Sequence, residues 1–325
     1  MTPGGLESTV STADTTLVAD SVTELFTSAV ALTMRGRRVS PRGMGTREVL
    51  DVRLLLRRPR ARLLFLPPAR VLNTAFAVAE TVWILSGSND PWIYTYNDRL
   101  RRYADDGVLR GAYGPRMRRW HNRTDQLDKV LATLRNDPDS RRAVIQLYDP
   151  THDADGHRDV PCTLGYRFHL RDGRLHMATT MRSQDLWTGL PYDMFAATVL
   201  HELMAGWLGV ELGDYHHHVD SLHLYDTDVD KAKAVPSDPR PGSELPDLTT
   251  PWEGFDDLLV RVTTGQEITH SGWAAMACAL ASYRRWKDGD RNTAVDLADR
   301  IPGPIGHGMR GWYAELATRT QAVSG

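Results

Sequence analysis

The chain of 325 residues is too long for a peptide or a lone binding module, and a usual domain size of roughly 150 residues allows one or two domains. Hydrophobic residues make up 41% and charged residues 25%, an ordinary globular balance that excludes a disordered chain, a collagen-like chain and a coiled coil. Thirty-nine basic against 41 acidic side chains leave a net charge of −2, so no global positive field draws in nucleic acid or anionic membrane.

Residues 1–40 start Ser/Thr-rich, pass through a helical stretch (Ser21 to Met34) and turn basic. They are expected to be an N-terminal extension, with one domain over 41–325. The first residues carry no basic cluster and no apolar run of signal-peptide type. The most apolar stretch, Leu63 to Leu85, is interrupted by Pro67, Pro68, Arg70, Asn73 and Glu80, so it is not a membrane span. Two cysteines, Cys162 and Cys278, cannot staple a chain this long and point to a reducing compartment. The expected location is cytoplasmic.

Asn73 to Leu85 is apolar on most faces, with Glu80 among them, and predicts a buried helix. Residues 126–135 repeat apolar side chains at helical spacing, and Asn136-Asp-Pro-Asp-Ser140 breaks the pattern. Arg142 to Tyr148 has strand character. Leu164 to Leu170 and Arg174 to Met181 flank Arg171-Asp-Gly173, a hairpin signal. Met194 to Leu208 is apolar nearly all round and reads as a buried helix. Gly213 to Tyr225 reads as a strand pair or strand–loop–strand, 234–252 as a surface loop, and Ala274 to Trp286 as another helix. No regular βαβ beat appears, so an α+β sheet protein is expected rather than a Rossmann fold.

Cys162 stands in Val-Pro-Cys-Thr at the mouth of a predicted strand. As a nucleophile it needs a lowered pKa, which nearby arginine supplies; the plainer reading is an inert thiol, and Cys278, inside an apolar helix, is read that way. Arg141-Arg142 and Arg182-Ser183 put planar guanidinium forks beside strands, a chemistry suited to phosphate monoesters. His216-His-His218 would alternate between the faces of a strand, so the three cannot share one ion. His201-Glu202 lacks the second histidine of a zincin motif, and Gly-rich phosphate loops are missing. No metal is expected.

Five motifs then fall in order: Asn136-Asp-Pro-Asp-Ser-Arg-Arg142, Pro161-Cys162, Arg182-Ser-x-Asp185, Gly213-Asp214 and His223-Leu-Tyr225. In this order and spacing they resemble the thymidylate synthase family, over about 73–225 of the chain. The resemblance implies an α+β, two-layer fold with a bent mixed sheet flanked by helices, one sheet face serving an obligate homodimer. It implies that Cys162 adds to C6 of a pyrimidine nucleotide. Arg182 and Ser183, with Arg42 as a flexible-loop arginine, would bind the phosphate, and Arg141 and Arg142 would complete the partner's site. His223 and Tyr225 would hold the sugar hydroxyl, and Asp185 and Tyr103 the folate. Glu80 would organise water and proton transfer, and Tyr113 would lie near the catalytic cysteine. The cosubstrate implied is 5,10-methylenetetrahydrofolate.

The sequence departs from the synthases at Asp193, in Gly189-Leu-Pro-Tyr-Asp193, where they carry asparagine. An asparagine amide accepts from uracil N3–H and donates to O4. Cytosine reverses that pattern, and a carboxyl group can accept from its amino group and, once protonated, donate to N3. Asp193 therefore resembles the family's cytidylate hydroxymethylases. Thr163 after the cysteine and Asp220-Ser-Leu-His223 point the same way, and the C-terminus does not resemble the synthase tail that closes over folate. The expected reaction is hydroxymethylation at C5 of CMP; the alternatives are hydroxymethylation of dCMP and, after it, thymidylate synthesis from dUMP. Lysine occurs only at positions 129, 231, 233 and 287; this arginine-for-lysine skew suits a GC-rich source, as in nucleoside-antibiotic (mildiomycin type) pathways that use CMP.

Overall fold

The computed structural model describes residues 15–324. In chain order the elements are β1 (Thr16–Ala19), α1 (Val22–Met34), β2 (Arg37–Val39), β3 (Thr46–Leu56), β4 (Phe65–Leu66), β5 (Arg70–Val71) and α2 (Thr74–Leu85). There follow α3 (Tyr113–Arg118), α4 (Gln126–Asn136), β6 (Val144–Gln146), α5 (Pro150–Asp153), β7 (Thr163–Arg171), β8 (Arg174–Met181) and β9 (Gln184–Asp185). The chain ends with α6 (Leu190–Leu208), β10 (Glu211–Tyr225), α7 (Val229–Lys233), α8 (Phe255–Thr264), α9 (Ser271–Lys287), α10 (Arg291–Asp299) and α11 (Gly303–Ser324).

The main sheet runs β1-β3-β10-β8-β7-β6, with β2 beside β3 and β9 beside β10. It is mixed: β10 is antiparallel to β3 and parallel to β8 and β9. The hairpin signal at Arg171-Asp-Gly173 holds, with Arg171 opposite Arg174 and both Asp172 and Gly173 at positive φ, as a tight two-residue turn requires. Gly213 to Tyr225, expected to be interrupted, is instead part of one continuous 15-residue strand. Asp214 to Val219 shows the ordinary alternation of a strand with one face turned from the core.

That alternation changes parity part-way. Asp51 on β3 has φ of 50°, and around it the buried positions shift from Val52 and Val219 to Val49, Leu222 and Leu224. A local left-handed residue of this kind kinks a sheet and re-aims the side chains beyond it.

Helices cover one side. α6 packs on β8 and β10, α1 lies on β3, α2 packs on α6, and α9 on α2. α6 and α2 are buried nearly all round, which is why neither shows the one-sided stripe of a surface helix. The stretch expected to be an extension enters this framework: β1 pairs in parallel with β3, and Val22, Leu25, Phe26 and Ala29 of α1 are fully buried.

Glu202 of α6 anchors two loops from inside. Its carboxylate accepts from Arg62, from Arg60 Nε at 2.7 Å and from the backbone N of Leu248 at 3.2 Å. Arg62 and Glu202 are 0% and 1% exposed. His201 beside it turns Nε2 to the Leu175 carbonyl at 2.7 Å, a structural contact. Glu202→Leu leaves the Arg62 charge buried without its carboxylate, so stability should fall by about 3–5 kcal/mol; urea unfolding of the two proteins measures it.

Candidate active site

Asn73 caps α2, its Oδ1 accepting from Phe76 N at 3.1 Å while its Nδ2 donates to the Tyr96 carbonyl at 2.9 Å. The helix is thereby fixed at both its end and its side. Eleven of its residues are buried, and Glu80 is the one left partly open. Glu80 lines a cavity of about 1700 Å³. Burial there, with Asp193 and Asp159 nearby, pushes its carboxyl up to about 8, so it holds a proton at neutral pH.

Cys162 sits between Pro161 and the start of β7. Arg182 follows β8, the neighbouring strand, and its guanidinium is tied to the backbone leading into the cysteine. Nε donates to the Pro161 carbonyl at 2.8 Å and Nη2 to the Val160 carbonyl at 2.9 Å. Nη2 also lies 3.7 Å from Cys162 Sγ. Burial pushes the thiol above its ordinary range, and Arg182 pulls against it. On the other side, the Tyr113 hydroxyl accepts from Thr163 N at 3.2 Å and Thr163 Oγ1 at 3.1 Å. The structure thus brings Tyr113, Cys162 and Arg182 together.

Asp193 lies in the first turn of α6. Its Oδ2 accepts from Gln184 Nε2 at 2.7 Å. Burial pushes its carboxyl up to about 6, with the Gln184 hydrogen bond opposing. Gly189 makes room for this contact: a Cβ there would stand 2.7 Å from Gln184 Nε2. Asp185 spends Oδ1 on the backbone of Trp187 and Thr188, at 2.8 and 3.0 Å, and Oδ2 on the Thr188 hydroxyl. It thereby holds the turn that delivers α6.

The cavity collects Arg42, Glu80, Tyr103, Asp185, Asp193 and Tyr225 on its wall. Arg42 stands in a left-handed turn at φ 54°, and its charge reaches the Tyr225 hydroxyl. Cys162, Tyr113, Arg182, Ser183 and His223 are not on that wall, but the charges of Asp193 and Arg42 reach the Cys162 thiol, and His223 packs edge-on against Tyr225 at 5.1 Å. Arg141 and Arg142 stand apart, exposed, on a separate hollow of about 550 Å³ at the end of α4. His216 and His218 stack on one face of β10, 6.2 Å apart, while His217 is buried on the other. Among the described residues two His/Asp groups bring ligand atoms within 4.8 Å of one another, His121–Asp149–His152 and His176–Asp214–His216. Neither is on the cavity wall.

A sequence profile of thymidylate synthase matches residues 33–258. The chain belongs to the thymidylate synthase family. Within it, the chain is 36% identical over 218 residues to the deoxyuridylate hydroxymethyltransferase of Bacillus phage SP01, covering 62% of this chain and 57% of that protein. It is 37% identical over 198 residues to the protein of that name from Pseudomonas phage M6, covering 58% and 56%. To that of Delftia phage PhiW-14 it is 33% identical over 249 residues, covering 69% and 68%. The chain thus spans little more than half the length of the first two.

Several residues of this family site escaped the sequence reading. Gln184 was only the unnamed position inside Arg-Ser-x-Asp. His217 was weighed only as a metal ligand. Asp159, three residues before Cys162, accepts from Gly111 N at 3.1 Å and is pushed up to about 6 by burial. Trp312 and Arg319 bring α11 onto the cavity wall, beyond the part of the chain where any motif was legible.

With its thiol raised, Cys162 should still react faster with iodoacetamide as pH climbs past the ordinary thiol value of about 8.5. Arg182→Gln should slow the reaction at every pH. Peptide mapping separates Cys162 from Cys278; a rate that levels off below neutral pH would contradict the thiol's placement.

Proposed function

We propose that the chain is a cytidylate 5-hydroxymethylase: it transfers a one-carbon unit from 5,10-methylenetetrahydrofolate to C5 of CMP, and water completes the hydroxymethyl group. The observation that carries this reading is Asp193, a carboxyl group on the cavity wall with one oxygen held by Gln184 and an affinity for protons near neutral pH. Protonated, it can donate to cytosine N3 while accepting from the N4 amino group. Ionised, it offers a hydrogen neither to the O4 carbonyl of uracil nor to cytosine N3, so the pairing with cytosine rests on the protonated form.

Fit to two ligands is supported by size. A site for one drug-sized molecule occupies about 300–1,000 Å³, and this cavity holds about 1700 Å³. Trp187, Tyr192 and Trp312 lie on its wall together with Asp185 and Tyr103. Methylenetetrahydrofolate supplies the carbon when bound.

The residues of the chain do the rest. Cys162 Sγ adds to C6 of the pyrimidine, with Arg182 beside it favouring the thiolate. The electron pair displaced from the C5–C6 bond makes C5 nucleophilic. Glu80, protonated at neutral pH, is placed to give and recover a proton at the ring. Once C5 has lost its hydrogen and carries an exocyclic methylene, water adds to that carbon, and Sγ leaves as the ring is restored. The product gains one CH₂O, and tetrahydrofolate is released.

A second reading rests on the relatives, which are named for deoxyuridylate; dUMP is its substrate, and dCMP is the alternative sugar for the first. Assays of CMP, dCMP, UMP and dUMP, each with methylenetetrahydrofolate and read by product mass, separate them. One CH₂O gained on CMP is expected. One CH₂ gained on dUMP, with dihydrofolate formed, would return the protein to thymidylate synthesis. Cys162→Ala should abolish turnover while still binding nucleotide. Asp193→Asn should move the cytidylate-to-uridylate preference by roughly 10²-fold or more toward uracil.

The reading includes a homodimer through the sheet face away from the helices. Supporting it, that face leaves Leu50 61% and Val144 46% exposed, and Arg141 and Arg142 stand outside the cavity with no carboxylate partner among the described residues. Mixing inactive Cys162→Ala and Arg142→Ala subunits should restore activity, because one site in each mixed dimer is then intact; no recovery would sink the shared site.

A further inference from the structure

Behind Asp193 runs a line of hydrogen bonds, with one side branch where Gln184 Nε2 also reaches the Asp185 carbonyl at 3.5 Å. Gln184 Nε2 donates to Asp193 Oδ2 at 2.7 Å, and Gln184 Oε1 lies 2.9 Å from His217 Nε2. His217 Nδ1 lies 2.8 Å from the Tyr215 hydroxyl, which lies 2.7 Å from Thr179 Oγ1. Gln184, His217, Tyr215 and Thr179 are each no more than 2% exposed, so every hydrogen must find its acceptor inside the protein.

The direction of the line follows from its end. An ionised carboxylate only accepts, so Gln184 must turn its NH₂ to Asp193 and its carbonyl to His217. His217 must then carry its hydrogen on Nε2. Its Nδ1 becomes an acceptor and takes the Tyr215 hydrogen, and Tyr215 accepts in turn from Thr179. Every donor points toward Asp193. Burial holds the His217 imidazole neutral, its pKa brought down to about 3, so the line carries dipoles and no charge. Dipoles aligned this way reinforce one another in a low-dielectric interior.

We propose that Gln184 and His217 are positioning residues for base selection: the line from Thr179 holds Oδ2 of Asp193 with a neutral donor, so that Oδ1 is presented to the pyrimidine and the carboxyl stays free to take a proton. A lysine or arginine in the place of Gln184 would lock Asp193 as an anion, which accepts from the N4 amino group but repels the N3 lone pair. A neutral amide serves both forms. Oδ2 keeps a second lone pair for the N4 amino hydrogen, and a protonated Oδ1 donates to N3. The role in base selection rests on the cytidylate reading; the direction of the line does not.

Nitrogen-15 NMR of the intact protein with labelled histidine tests the direction, with His217→Gln assigning the resonance. A neutral imidazole protonated on Nε2 is expected at neutral pH; protonation on Nδ1 overturns the proposal. The second arm compares kcat/KM for cytidylate and uridylate. Gln184→Met and His217→Leu should each lower the ratio by about tenfold or more. His217→Gln, whose amide can replace the Nε2–H, should keep it. An unchanged ratio in both Gln184→Met and His217→Leu overturns the positioning role. If the unaltered protein turns over no cytidylate, the proposed substrate and the role in selecting it fall together, and the tautomer still decides the direction of the line.

Discussion

Strand β10 takes hydrogen bonds from β3 along one edge and from β8 and then β9 along the other. With both edges paired, it cannot slip by one residue without turning Tyr215 and His217 to the opposite face and sending His216 and His218 into the core. The pairing therefore decides which histidine of the three is buried. It also decides what β9 can do: Leu222 opposite Gln184 and His223 opposite Asp185 set Gln184 over His217, and Gln184 meets Asp193 at the start of α6. The approach is close enough that a Cβ at position 189 would displace the Gln184 amide, from which it would stand 2.7 Å.

The chemistry of the site is a consequence of poor solvation. Glu80, Asp159 and Asp193 are all raised, by burial first and by one another's charge second where that contributes. Glu80 and Asp193 share the cavity wall, and the charge of Asp159 reaches Glu80; the three cannot all ionise at little cost, so protons are retained near neutral pH. The Cys162 thiol is raised by the same burial, and its main opposing influence is Arg182.

The helices carry this arrangement without taking part in it. Glu202, reached by Arg60 and Arg62, ties the segments around Ala61 and Leu248 to α6, the helix whose other end bears Asp193. α9 packs against α2, and α2 carries Glu80. The remote C-terminal helices therefore fix both acids through packing, while α11 adds Trp312 and Arg319 to the cavity wall.

Much of this was legible in the residues alone, because some signals are local. The hairpin at Asp172-Gly173 is a turn that only certain residues form. The helices of 74–85 and 190–208 are apolar runs of helical length, and the Cys162, Arg182 and Asp193 motifs mark a family by short stretches of sequence. The continuity of β10 was not legible, since the alternation His216-His-His218 reads as a polar interruption until both neighbours are known. Neither was the role of Gln184 or His217. A hydrogen-bond line is built from residues 179, 184, 193, 215 and 217, whose partners are chosen by strand pairing and not by spacing in the chain. The sequence by itself determined the family and singled out Cys162 and the acid at position 193. Only the tertiary structure decided what surrounds that acid, because burial and strand register, which set its proton affinity and its donor, exist only once distant segments are packed together.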